Sequence, residues 1–223
     1  MEDNRNKEEK INKSKNKEGK QKREYILQKG SIKIIFLGEV GVGKTSLMKA
    51  YLDKEFDPKE ITTNVPQIVN DNINSTEYKS FNIDFWDTAG QEKYRSITSN
   101  FYHNSQIVIF VYSIIAKNTF EEIKNYWYKS ITDIIGKDVI FGLAANKVDL
   151  FDKEEVSKKE GIEYAKKIGA IFRETSAKNS RKAFKDFVNE LIEKLLHNKN
   201  LIQKKEKIIL KKPAKSKKKC CFI

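Results

Sequence analysis

Cysteine is almost absent: 223 residues contain two, Cys220 and Cys221, both at the extreme C-terminus. They cannot staple a core, which fits a reducing, cytosolic setting. Long apolar runs are missing too, and none approaches the ~20 residues that cross a bilayer. The first ten residues, MEDNRNKEEK, are charged and polar with no apolar stretch behind them, so no signal peptide is expected. Secretion and membrane spanning are therefore not expected. Hydrophobic residues make up 39% and aromatics 11%, enough to build one domain flanked by tails.

The formal charge of +13 is unevenly spread. Residues 1–30 hold 10 basic and 6 acidic residues, a net of +4. Residues 204–219 hold nine Lys and one Glu, a net of +8, which leaves +1 for residues 31–203. A nucleic-acid-binding domain more often carries its charge on a folded face, so a nucleic-acid partner is not expected. Residues 1–30 are low-complexity Asn, Lys and Glu and read as a disordered extension.

Beyond residue 30, apolar runs alternate with amphipathic stretches. IKIIFL (32–37), QIVIFVYSI (106–114) and VIFGLAA (139–145) are unbroken and suit strands buried on both faces. NIDFW (82–86) alternates and reads as a half-buried strand. Phe184, Phe187, Val188, Leu191, Ile192 and Leu195 recur at helical steps and make one apolar stripe. This alternation predicts an α/β fold with a mostly parallel sheet.

The first strand runs into Gly38-Glu39-Val40-Gly41-Val42-Gly43-Lys44-Thr45, and a helical pattern follows. This is G-x-x-x-x-G-K-[ST] in its required context. Glycines let successive N–H groups curl inward, and with the helix N-terminus these cradle phosphates. Lys44 supplies a point charge, and the Thr45 hydroxyl is a hard ligand suited to Mg²⁺. The motif implies a nucleoside triphosphate without naming the base.

Three later motifs narrow the choice. Asn146-Lys147-Val148-Asp149 ends a strand, and a carboxylate at Asp149 can accept from the guanine N1–H and N2 amine together. Adenine lacks that donor pair, which would leave the carboxylate unpaired. In Trp86-Asp87-Thr88-Ala89-Gly90-Gln91-Glu92, Asp87 can hold Mg²⁺ through water, the Gly90 N–H can meet a γ-phosphate, and Gln91 can orient an attacking water. The backbone of Glu174-Thr175-Ser176-Ala177-Lys178 can close over the guanine edge.

The set GEVGVGKT, WDTAGQE, NKVD and ETSAK, in this order, resembles the small GTPases of the Ras superfamily over roughly residues 31–197. The Trp of WDTAGQE, the following KYRSI and the terminal Cys pair are most similar to the Rab branch. The resemblance implies a P-loop NTPase of three α/β/α layers, with a six-stranded sheet and five helices. It implies GDP/GTP binding with Mg²⁺, and slow GTP hydrolysis that switches two loops read by an exchange factor, an activating protein and effectors.

Residue by residue, it places nucleotide contacts on Val40, Gly41, Val42, Gly43, Lys44, Thr45 and Ser46, on Gly90, on Asn146, Lys147 and Asp149, and on Ser176, Ala177 and Lys178. It gives Gln91 the catalytic place. Thr63, 18 residues after Thr45, fits the threonine that reaches Mg²⁺ and the γ-phosphate, with Thr62 as a possible substitute. The metal set is then Thr45, Thr63 and Asp87. Phe56 fits the aromatic that packs on guanine, or else a core residue at a helix end. Trp86 and Phe101 fit either a partner-read apolar triad or plain core packing.

Three places depart from the family. Asn64-Val65-Pro66-Gln67-Ile68 replaces the usual run after the switch threonine. Because Pro66 cannot donate to a ladder, the second strand is expected to begin after it, on the sheet edge. Ser113 stands where an Asp is usual. Val40 puts a branched side chain beside the γ-phosphate and Gln91, where it can slow hydrolysis. That leaves a hydrolysis-impaired, GTP-bound recruitment module as an alternative.

The chain ends Lys217-Lys218-Lys219-Cys220-Cys221-Phe222-Ile223. Cys220 is fourth from the end, the C-a-a-X position, and the Cys pair resembles doubly geranylgeranylated Rab tails. Two lipids, or one lipid with a polybasic stretch, anchor stably. A single prenyl group would instead suit a Ras- or Rho-type signalling GTPase. The expectation is a monomeric switch on the cytoplasmic face of endomembranes, with a cytosolic pool. Residues 198–223 would form its flexible tether.

Overall fold

The computed structural model describes residues 31–58, 63, 67–73, 81–87 and 102–198. The expectations placed on residues 1–30, Thr62, Gly90, Gln91, Phe101 and the terminal Cys220–Cys221 pair lie outside them.

Six strands form one sheet: β1 (Ile32–Leu37), β2 (Gln67–Ile73), β3 (Phe81–Asp87), β4 (Ile107–Ser113), β5 (Ile140–Asn146) and β6 (Ile171–Glu174). Their order is β2-β3-β1-β4-β5-β6. Every neighbouring pair is parallel except β2 with β3. All seven residues of β4 and of β5 are buried, as expected of apolar runs covered on both faces. β3 alternates, with Ile83 and Phe85 inward and Asn82 exposed. β2 lies at the edge and starts at Gln67, the residue after Pro66.

Side chains of β1 leave the sheet alternately, and this two-residue period splits the core. Ile34 and Phe36 join one cluster, beneath α1 (Lys44–Tyr51) and α5 (Arg181–His197). Ile35 and Leu37 join the other. There they meet α2 (Lys117–Glu122), α3 (Tyr128–Ile135) and α4 (Lys158–Ile168). The result is three layers with five α-helical segments among the described residues. The predicted α5 stripe is buried throughout, from Phe184 to Leu195.

α4 opens on a reciprocal cap in which Ser157 and Glu160 satisfy each other's backbone N–H groups, and it closes on a left-handed Gly169. α2 and α3 are halves of one rod joined by a π turn, Ile123–Trp127. Ser113 is buried, and its hydroxyl has no hydrogen-bond partner among the described residues. Nothing in the structure explains its departure from the family. No helix among the described residues is long and apolar enough to cross a membrane.

Candidate nucleotide site

The site lies where β1, β3, β5 and β6 end. β1 stops at Leu37, and the chain turns through Gly38 at φ 147°. A Cβ there would sit 2.1 Å from the Val111 carbonyl oxygen, so the turn admits only glycine. Gly43, at φ 97°, is equally constrained, since its Cβ would meet Asn146 Nδ2 at 2.4 Å. Helix α1 begins at Lys44, with no acidic residue in its first turn. The positive end of its dipole is thus left to an anion.

Lys44 is buried, and its ammonium donates to the Gly38 and Glu39 carbonyl oxygens, each at 2.9 Å. Burial pushes it down from 10.5 to about 8, against the pull of the Asp87 and Glu39 carboxylates. Thr45 Oγ1 lies 2.6 Å from Thr63 Oγ1 and donates to Asp87 Oδ2. Three hard oxygens from three distant segments therefore converge beside the phosphate loop. This donor set fits Mg²⁺, which takes a few protein oxygens and keeps waters and phosphate oxygens for the rest. No cluster of three or more His, Cys, Asp or Glu suited to a metal occurs among the described residues, so an all-carboxylate cage is not what they offer.

The opposite end of the site is built by β5 and β6. Asn146 Nδ2 donates to the Val42 carbonyl at 2.8 Å, and Asn146 Oδ1 accepts from Thr175 Oγ1 at 3.3 Å. Lys147 then turns left-handed, at φ 67° and ψ 33°. Its ammonium is lowered by burial, with Asp149 opposing. Ser176 Oγ donates to Asp149 Oδ1 at 2.6 Å and accepts from the Asn179 N–H at 3.0 Å. This fixes the Asp149 carboxylate in place.

These segments enclose a cleft of about 330 Å³, within the range of small-ligand sites. Of the expected contacts, Val40, Gly41, Gly43, Lys44, Thr45, Ser46, Phe56, Thr63, Asn146, Lys147, Asp149, Ala177 and Lys178 line it. Phe56 follows the end of α1 and is 38% exposed, so it belongs to the cleft and not to the core.

Two expected contacts stand behind the wall. Val42 is wholly buried, packs in the α1–α5 cluster and serves through its carbonyl. The Ser176 hydroxyl is spent on Asp149. Asp87 also lies off the lining and accepts from the Thr45 hydroxyl, which is on it. Asn146 reaches the cleft, but its amide is committed to the protein on both sides. Asp57, Pro58 and Leu150 line the cleft without having been expected. Only their adjacency to Phe56 and Asp149 could have signalled them.

Trp86 is half-buried beneath Lys33, whose Nζ sits 3.7 Å from the ring centroid.

The sequence model of the Ras family matches residues 33–197. Ras-related protein RABC1 of Arabidopsis thaliana is 36% identical over 166 residues, 72% of this chain and 77% of its own length. Ras-related protein Rab-21 of Bos taurus is 36% identical over 166 residues, 73% of this chain and 74% of its own. Ras-related protein Rab-18 of Caenorhabditis briggsae is 35% identical over 173 residues, 77% and 83% respectively.

Proposed function

This chain belongs to the Ras family as a Rab-like small GTPase that hydrolyses GTP, and from that premise we propose that it is a membrane-anchored GDP/GTP switch for vesicle traffic. The observation that carries the nucleotide part is the shared cleft: Lys44 stands at one end and the Ser176-braced Asp149 at the other. Each polar group there matches one part of a guanine nucleotide. Asp149 accepts from N1–H and the N2 amine. Phe56 and the Lys147 stem, both on the lining, pack on the two faces of the base. The loop N–H groups and Lys44 take the phosphates. Thr45 and Thr63 would hold Mg²⁺ through their hydroxyls, and Asp87 through water. Bound there, the ion neutralises charge that develops on the phosphate oxygens. Gln91 orients the attacking water and Gly90 meets the γ-phosphate, roles carried over from the family pattern.

The Lys-rich segment and the Cys220–Cys221 pair supply the anchor. Prenyl groups give apolar burial, and the lysines add attraction to an anionic leaflet. The switch regions serve an exchange factor, an activating protein and effectors, and the protein works as a monomer. Mass spectrometry of the native tail distinguishes this reading from a Ras- or Rho-type one. Two geranylgeranyl groups support it, and one group with Cys221 removed opposes it.

A second reading has its own observation. Val40 is 42% exposed at the cleft, where a branched side chain can crowd Gln91. The protein would then stay GTP-loaded as a recruitment module. Equal single-turnover rates for the native protein and Val40→Gly dismiss that reading.

The central test is to denature the purified protein and identify the released nucleotide. Guanine nucleotide is expected, and Asp149→Ala should erase the preference for GDP over ADP. An adenine nucleotide, or unchanged discrimination in Asp149→Ala, overturns the assignment.

A further inference from the structure

The rod formed by α2 and α3 carries an irregularity that its inward face explains. Phe120, Ile123, Trp127 and Ile131 are all buried, the last three completely. Ile123, Trp127 and Ile131 are spaced by four. In a regular α-helix each step of four overshoots the turn by about 40°, so such a stripe drifts away from the sheet. The π turn at Ile123–Trp127 takes up one extra residue and cancels part of that drift. Trp127 is thereby carried under the phosphate loop. Its Nε1–H donates to Glu39 Oε1 at 3.0 Å, across 88 positions of sequence.

Glu39 is an awkward residue at this place. It lies between Gly38 and Val40 in a loop built to receive anions, and its own carbonyl accepts from Lys44 Nζ at 2.9 Å. A carboxylate free to swing toward the phosphates would repel them, most strongly where water is excluded. Yet Glu39 is not among the residues lining the cleft, although Val40 and Lys44 are. Trp127 engages the acidic head outside the cleft lining while the Glu39 carbonyl faces Lys44. A buried indole N–H needs an acceptor in any case, and a charged one makes the stronger bond.

We infer that Trp127 and Glu39 form a positioning pair, in which the π turn fixes the phosphate loop and thereby sets the rate of nucleotide release. The inference rests on the guanine-nucleotide reading of the cleft. Neither residue lines the cleft. The pair ties the α2–α3 rod to the loop, so a displacement of the rod would be felt at Glu39, whose carbonyl accepts from Lys44.

The test uses the full chain loaded with a fluorescent GDP analogue in Mg²⁺ and measures its release rate. Glu39→Ala removes the acceptor and leaves the core untouched. Trp127→Phe removes the donor and keeps most of the bulk. Each breaks the tie and should speed release about tenfold, the effect of losing one charge-assisted hydrogen bond, and Trp127→Phe should be the faster of the two because it also leaves the carboxylate unrestrained. Glu39→Gln keeps an acceptor oxygen and should restore release to near the native rate. The double variant Glu39→Ala/Trp127→Phe should release no faster than the faster single.

A spectroscopic readout separates positioning from general loosening. The chain has two Trp, so only two indole N–H resonances are expected. The Trp127 signal should move in Glu39→Ala and stay in place in Glu39→Gln. Native release from Glu39→Ala, multiplied effects in the double variant, or failure of Glu39→Gln to rescue each overturns the inference. Should Trp127→Phe not fold, the Glu39 variants and the indole signal still decide. A native protein that never takes up the GDP analogue would instead sink the nucleotide reading itself.

Discussion

Asn146 and Val42 lie 104 positions apart, yet the Asn146 side-chain amide donates to the Val42 carbonyl at 2.8 Å. One bond thus joins the end of β5 to the middle of the phosphate loop. Asn146→Ala removes it together with the Thr175 contact. Both bonds are buried. GDP affinity should fall roughly 10- to 100-fold, at one decade per 1.4 kcal/mol. Displacement of a fluorescent GDP analogue checks this. An affinity near the native value would mean that the loop keeps its shape without the tie.

Thr45 stands at the junction of Thr63 and Asp87. In the native protein, stripping Mg²⁺ with a chelator should speed GDP release. In Thr45→Ala release should already be fast, and the chelator should add little. A variant that still responds fully to the chelator would remove Thr45 from the metal site.

The ammonium of Lys33 over Trp86 is lowered by burial to about 8, although Asp84 pulls the other way. Because this value lies below the ordinary 10.5, charged Lys33 costs folding free energy below pH 8. The cost fades as pH rises from about 8 toward 10.5. The same titration should appear in Trp86 emission. A cation over the ring is present below about 8 and lost above it, so the fluorescence step should centre there. Lys33→Met should abolish the step, and a step that survives in Lys33→Met refutes the assignment.

Gly161 of α4 has no room for a side chain. A Cβ there would come within 2.5 Å of both Phe172 Cε2 and the Tyr112 hydroxyl. Overpacking of this kind costs about 1–3 kcal/mol. Ala gains roughly 1 kcal/mol over Gly in a helix. Gly161→Ala should therefore lower the melting temperature while leaving GDP affinity intact. A raised melting temperature would show that Phe172 yields freely.

Local pattern made the strands legible. An unbroken run of β-branched residues does become a strand buried on both faces, and Pro66 does mark where β2 can start. The phosphate loop was legible because its glycines and Lys44 are adjacent in sequence. The π turn was not, since nothing in IKNYW opposes an ordinary helix. Its reason lies in the sheet beneath it. The Trp127–Glu39 and Asn146–Val42 bonds were hidden for the same reason, because each partner is remote along the chain. The inward packing of the Val42 side chain and the Ser176–Asp149 bond were not legible from their motif places. Whether a residue's side chain faces the cleft or the protein is decided by tertiary packing.

β4 lies between β1 and β5 and contributes no residue to the cleft. Neighbouring strands stand about 4.8 Å apart, so the interposed strand sets roughly 10 Å between the tip that grasps phosphate and the tip that reads the base. This central strand works as a gauge. On the proposed nucleotide reading it favours molecules of one span, long enough to bridge both tips, and would leave a lone base or a lone pyrophosphate holding only half the grip.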